Sequence, residues 1–386
     1  MRFIPAVFAL SAFTLAACAS NSSPDSDHAA VSGDATSETE LACSKTVVPS
    51  NLPANLCDTP AANDLTLEEW LDTTKCDAVV GQGAGAPEIC VRIGRNVNIQ
   101  RFIPLSPGGP YQARAIAVVA TNDMTVDGPV SVAAFESNDG SMFYDESGPG
   151  APDPRGAGGS AGGGGHVTAG GGSNGGPAYG SDTAIPLVGG SRGGSTYIGV
   201  PGGTGGGGGG AVQLVACHRL TVTANATIDA GGGGGQAGGF GTPPELSGGA
   251  GGGGGSGGTI LLEAARMNIK GALGANGGGG GGGGGSSSPP TGICDSGGPG
   301  TRGTVTTSPA SGGSPAGGGG GGQGGTGTSP PAAGSPSQCD LSRPAGPGGG
   351  GGAVGRIRLN VLAGTQPDIA GAVFSPGPSI GTVATH

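Results

Sequence analysis

Residues 257–285 read GGTILLEAARMNIKGALGANGGGGGGGGG. The first half alternates, Ile260-x-Leu262-x-Ala264 and then Met267-x-Ile269, at the period of half-buried strands. The second half ends in nine consecutive glycines, which bring no side chain to a core. The alternation recurs elsewhere in the chain. Ile116-x-Val118-x-Ala120 precedes Met124-x-Val126, and Val212-x-Leu214-x-Ala216 precedes Leu220-x-Val222. A third apolar group follows each copy, at Val130-x-Val132, Ile228 and Leu273. A looser copy runs through Val354, Ile357-x-Leu359-x-Val361 and Ile369, and an earlier one through Ile89-x-Val91-x-Ile93, Val97-x-Ile99 and Phe102. Three short strands in about 20 residues, repeated, match one coil of a parallel β-helix.

The predicted fold is all-β: a short parallel β-helix or solenoid of about four to five coils over residues 89–386, since no single strand group can bury its own apolar face. Gly-rich insertions fall at 134–209, 231–257 and 277–352. Each leaves after a third strand and returns before a first, so all three are expected to protrude side by side from one edge. Two states are open to them. Solvated loops are one, because glycine loses the most backbone entropy on ordering. The other is packed extended glycine helices of threefold period, whose backbone groups must be satisfied by neighbours.

Composition divides the chain at the same place. Of 93 glycines, 11 precede residue 151 and 82 follow. Residues 18–150 carry 18 acidic and 6 basic side chains, a balance of −12, whereas residues 151–386 carry 8 and 9, or +1. Glycine without a strict every-third-residue repeat excludes collagen. The three scattered lysines, Lys45, Lys75 and Lys270, argue against nucleic acid, which needs clustered cations.

The first 17 residues have the layout of an export signal: Arg2, an apolar stretch from Phe3 to Thr14, then Leu15-Ala16-Ala17-Cys18. That last group resembles the lipobox of bacterial lipoproteins. The resemblance implies cleavage after Ala17, lipidation of Cys18 and, with Ala19 rather than Asp next, placement in the outer membrane. Residues 18–42 then form a lipidated Cys and an acidic tether expected to be disordered. Such a coil spans about 25–30 Å.

Seven cysteines remain. In an exported chain they read as disulfide-bonded. Cys43, Cys57, Cys76 and Cys90 cluster, allowing two bridges in three connectivities, and Cys294 and Cys339 share one insertion, which leaves Cys217 as the odd residue. Residues 43–88 read as a small disulfide-rich cap. Thr66-Leu67-Glu68-Glu69 fits a helix-start capping box, and Trp70, the only tryptophan, reads as the core of this unit rather than a ligand-stacking residue.

In texture the chain resembles uncharacterised glycine-rich, solenoid-like exported lipoproteins of Gram-negative bacteria. Units of the form GGTILLEA…GALGANGGGG and the ending GGGGGAVGRIRLNV…IAG, residues 348–371, carry the likeness over residues 89–386. It implies an exported, solenoid-like protein and brings no established activity.

Chemistry is thinly represented. GxSxG occurs around Ser160, Ser173, Ser191 and Ser256, a motif that this glycine content produces by chance and that here lacks the strand–turn–helix context of a nucleophile elbow. His218 beside Cys217 reads as a corner filler, since adjacent residues of a strand point apart. A glycosidase needs two carboxylates across a groove. On the expected coils the acids are sparse, with Asp127, Asp229 and Glu263 the candidates and Asp127 and Asp229 the pair that stacking could bring close. Residues 137–146 partly match a calcium loop, but Phe135 stands in the first ligand position, so an acidic turn is the better reading. No cofactor and no metal is expected. The sequence points to a non-enzymatic, lipid-anchored surface protein serving adhesion or envelope structure. Its expected contacts are the membrane and an envelope or extracellular polysaccharide or another surface protein. A polysaccharide lyase or glycoside hydrolase on a β-helix is the rival expectation, and an anchored disordered stalk is a third.

Overall fold

The alternating segments form parallel strands, and from β8 to β15 they stack with their large apolar residues at matching offsets. The computed structural model describes residues 46–83, 85–105, 114–134, 148–152, 160–196, 202–241, 248–285, 295–337 and 345–386, which contain strands and no helix. The strands are β1 (Val47–Val48), β2 (Leu65–Leu67), β3 (Trp70–Asp72), β4 (Ala78–Val80), β5 (Ile89–Gly94) and β6 (Val97–Ile99). Next come β7 (Ile103–Leu105), β8 (Ala115–Ala120), β9 (Asp123–Val126), β10 (Pro129–Ser131), β11 (Ala211–Val222) and β12 (Thr227–Asp229). The last are β13 (Thr259–Ile269), β14 (Ala272–Gly274), β15 (Arg356–Val361), β16 (Val373–Ser375), β17 (Ser379–Thr382) and β18 (Ala384–Thr385).

One sheet runs β17-β15-β13-β11-β8-β5-β4, with β9, β6 and β2 continuing beside β11, and a second runs β10-β12-β14-β16. Within them Val212 pairs with Ile116 and Ile260, Leu214 with Val118 and Leu262, and Leu220 with Met124 and Met267. These residues meet in one inner core with Phe102, Ile228 and Leu273. Burying each large side chain stabilises the fold by about 1.5–3 kcal/mol. This is a solenoid-like, parallel all-β architecture.

Four sequence readings need correction, the last of them the odd cysteine. The first is the face of β5. Ile89, Val91 and Ile93 lie beside Ala115, Ala117 and Val119, not beside Ile116 and Val118. Every residue of β8 is buried, so its alternation cannot say which half faces inward. The set of odd-numbered residues packs instead into an outer cluster with Leu52, Ala184, Leu187, Val215 and Leu261. The second concerns Ile369, which falls in a turn after the bridge of Asp368 to Asn268, while Phe374 in β16 supplies the residue beside Leu273.

The third is the capping box. Leu65–Leu67 and Trp70–Asp72 are strands, parallel to β6 and β7. A helix here would leave the edges of β6 and β7 without hydrogen-bond partners, whereas strands satisfy them and bury Leu67 and Leu71 in the inner core. The Trp70 side chain lies outside the described residues, and with it the reading of that residue.

The chain enters the fold as a strap over the outer face. β1 pairs antiparallel with β18 near the carboxyl terminus. From there Ser50 reaches Glu263 of β13, and Cys57 is bonded to Cys217 of β11. Ala61 then donates to Thr121 beyond β8. The strap thus crosses the strands in the reverse of chain order. Cys217 is therefore not the odd cysteine. It sits at a register shift between Ala216 and Arg219, where the strand irregularity meets the strap. Cys76 is bonded to Cys90, tying β4 to β5. Cys18, Cys43, Cys294 and Cys339 lie outside the described residues.

Candidate functional site

Beyond β10, β12 and β14 the described glycine-rich segments assemble into a hydrogen-bonded lattice. The run 277–285 shows its rule. Gly277, Gly280 and Gly283 donate to Gly325, Gly322 and Gly319; Gly278, Gly281 and Gly284 donate to Gly255, Gly252 and Gly249. Gly279, Gly282 and Gly285 donate to Thr301, Gly298 and Asp295. All nine bonds measure 2.8–2.9 Å. Every third residue thus addresses the same neighbour, which is the period of an extended threefold helix, and acceptor numbers fall as donor numbers rise, so those three neighbours run antiparallel. On the carbonyl side Gly235 and Gly238 donate to Gly279 and Gly282 in parallel sense, while Gly352, Gly349 and Gly346 donate antiparallel to Gly278, Gly281 and Gly284. Of the two states open to the insertions, these described runs occupy the ordered one.

Such close approach is why the runs are glycine. A Cβ at Gly278, Gly281 or Gly284 would lie under 3.0 Å from the carbonyl oxygen of Gly233, Gln236 or Gly239, closer than real Cβ atoms come. Where a helix reaches the surface, side chains return with the same period. In 308–316, Ala310 and Gly313 are buried while Ser308, Ser311 and Ser314 are exposed. The Gly313 N–H donates inward to Gly280. One row of this helix is lattice and another is a line of hydroxyls.

Buried polar groups pin the lattice to the strands. Asn276 donates to the carbonyls of Thr304 and Thr306, and Ser375 donates to Asn276 Oδ1 at 2.7 Å. Asp229 accepts from the Gly231 N–H and faces Arg302 at 3.3 Å. Burial raises its carboxyl, and the Arg302 charge opposes that shift. His166 is buried, and its Nδ1–H donates to the Gly257 carbonyl at 2.9 Å, with the Tyr179 ring 4.8 Å away. Burial, reinforced by the positive charge of Arg356, lowers His166 to about 4. Burial also pushes Tyr179 up to about 12, against the Ser191 and Ser256 hydroxyls. The Tyr179 hydroxyl donates to the Gly189 carbonyl.

The GxSxG serines are lattice members. Ser191 N–H donates to Ser256 Oγ at 2.7 Å, and Ser191 Oγ accepts from the Gly150 N–H. The Ser160 carbonyl accepts from Asn174, and Ser173 is exposed in a turn. Among the described residues none of the four bonds to a histidine. His218 pairs with Asp123 at 2.7 Å on the surface, one residue from a cysteine held in a disulfide. Asp127 accepts from Thr223 at the surface, whereas Asp229 is buried level with Ser131 of β10, so stacking does not bring this pair together. Among the described residues no three His, Cys, Asp or Glu side chains cluster as metal ligands. The calcium-like segment 135–146 lies outside them.

Glu263 is the acid whose setting sequence reading missed. Fully buried, it accepts from Ser50 Oγ at 2.6 Å, Ser50 N–H at 3.0 Å, Gln213 Nε2 at 2.7 Å and Asn360 Nδ2 at 2.9 Å. Its strand position gave one signal, a carboxylate inside an otherwise apolar run. Its partners come from residues 50, 213 and 360, so no local pattern could reveal them. No helix among the described residues is long and apolar enough to cross a membrane. Compared with family models, curated proteins and solved structures, the chain has no significant match to any.

Proposed function

We propose that this is a lipid-anchored outer-membrane surface protein, held through Cys18, that binds extracellular polysaccharide without cleaving it. In this reading about five stacked coils begin at β5, β8, β11, β13 and β15. Residues 43–88 cap the first coil, and the glycine lattice is what the frame displays. The resemblance to glycine-rich exported lipoproteins supports the anchor. The observation that carries the binding role is the hydroxyl row of Ser308, Ser311 and Ser314 on a helix whose opposite row is locked into the lattice. A threefold extended helix repeats that row about every 9 Å. A rigid line of donors and acceptors suits a repeating, hydroxylated polymer, because little entropy is lost when neither surface must reorganise.

The test is retention of envelope polysaccharide by the full chain, with reducing ends counted in parallel. Retention without new reducing ends is expected. Changing Ser308, Ser311 and Ser314 together to Ala should weaken it at least about tenfold, the value of a few hydrogen bonds. New reducing ends would establish a glycan-cleaving enzyme instead. Failure of the wild type to retain any polysaccharide would overturn the adhesive role.

A further inference from the structure

The buried node at Glu263 holds three groups in the arrangement of a condensation reaction. Ser50 carries a hydroxyl whose proton points to Glu263 Oε1 at 2.6 Å, and Gln213 carries a carboxamide whose Nε2 lies 2.7 Å from Oε2 of the same carboxylate. Gln213 Nε2 also donates to the Ser50 carbonyl at 2.6 Å, which presses the carboxamide against the residue bearing the hydroxyl. Asn360 Nδ2 and the Ser50 N–H fix the carboxylate, and Arg358 Nε fixes Asn360 through Oδ1 at 2.8 Å. Gln213 and Glu263 are fully buried, and Gln213 Oε1 has no hydrogen-bond partner.

We infer that Ser50 and Gln213 become joined by an ester bond, with Glu263 carrying the proton. Glu263 Oε1 takes the Ser50 hydroxyl proton as Oγ bonds to Cδ of Gln213, and the carbonyl electron pair moves onto Oε1 of Gln213. The tetrahedral centre then collapses. The C=O re-forms, the Cδ–Nε2 bond breaks, and Nε2 leaves as ammonia with the proton that Glu263 returns. One O–H and one C–N bond are lost, one C–O and one N–H bond are made, and Glu263 ends as it began. No oxidant, metal or cofactor enters.

Three features favour the step. One carboxylate holds the hydroxyl and the carboxamide at 2.6 and 2.7 Å from its two oxygens, and such placement is worth several powers of ten over reaction in solution. Ammonia leaves past the half-buried Ser50 and is diluted into solvent, while the acyl carbon stays on the fully buried Gln213 side, where hydrolysis is slowed. The Gln213 carbonyl oxygen is buried without a partner, and an ester carbonyl is the weaker acceptor, so conversion lessens the cost of an unmet hydrogen bond. The product would fix the strap covalently across β11, so that tension entering at residue 46 passes directly into the frame.

Trypsin tests this in the full chain, because Ser50 falls in peptide 46–75 and Gln213 in peptide 193–219. The Cys57–Cys217 disulfide joins the same two peptides, so their linkage before reduction reports that the strap is seated. After reduction they should stay joined, lighter than their sum by one ammonia, and hydroxylamine should part them, leaving a hydroxamate at residue 213. Glu263→Gln and Ser50→Ala should each release both peptides on reduction. Wild-type protein with the disulfide in place but separate, full-mass peptides after reduction would overturn the inference. So would persistence of the link in Ser50→Ala, or a link found instead to Glu263 in peptide 220–266.

Discussion

Gly281 shows what one hydrogen in place of a methyl group decides. Its N–H donates to Gly252, its carbonyl accepts from Gly349, and its Cα faces the Gln236 carbonyl too closely for any side chain. Gly320, in the same lattice, has Ser335 Oγ as its nearest would-be neighbour at 3.4 Å. Gly281→Ala must push the backbone of residues 235–236 away and should cost about 1–3 kcal/mol or more, as overpacking does. Gly320→Ala should be neutral or stabilise by up to about 1 kcal/mol through the unfolded chain. Thermal melts of the two variants check this, and equal effects would contradict the lattice. Both residues sit in glycine runs and are indistinguishable by sequence. Only the neighbours separate them, and those neighbours are tens of residues away in the chain.

At the scale of elements, β8, β11 and β13 are legible as copies of one another, because Ile116, Val212 and Ile260 each begin an alternation that resumes seven or eight residues later at Met124, Leu220 and Met267. β5 defeats the same reasoning. With Ile89, Val91 and Ile93 facing an outer cluster, the sheet there is covered on both sides, and period two carries no direction. The covering element is the strap, whose sequence has no periodicity and whose place is set by Leu52, Ser50 and Cys57. The Cys57–Cys217 bridge closes 160 residues and Cys76–Cys90 closes 14, so chain entropy alone ranks their loss at about 5 against about 3 kcal/mol. An ester between Ser50 and Gln213 closes nearly the same long loop. Replacing Cys57 and Cys217 by Ser should then cost far less than about 5 kcal/mol in the wild type and nearly that much in Ser50→Ala. Denaturant melts of the four variants measure this coupling, and additive costs would contradict it.

For the molecule as a whole, frame and lattice share their boundaries. Asn276, Asp229 and Ser375 bond across the line where strands become glycine helices, and Gly257 bonds to His166 while its own N–H donates to Ala353. Loops on a scaffold would exchange their amide hydrogens at once. Here the amides of 277–285 should be protected to the same order as those of β13, since each is buried and bonded. Amide exchange read by mass spectrometry tests this, and full exchange of that run within seconds would refute a cooperative unit.

Sequence by itself determined the parallel all-β frame, because the period of its alternation is a local property of the chain, whereas the structure runs the first two strand groups together in β11 and β13. Tertiary structure alone decided which face of β5 is inner, that residues 65–67 and 70–72 are strands, that Cys217 pairs with Cys57, and that Glu263 sits between Ser50 and Gln213. The physical reason is the same in each case. A glycine, a cysteine or a lone buried acid has no preference that neighbours in sequence express, so its state is set by whichever distant backbone or side chain the stacking brings against it.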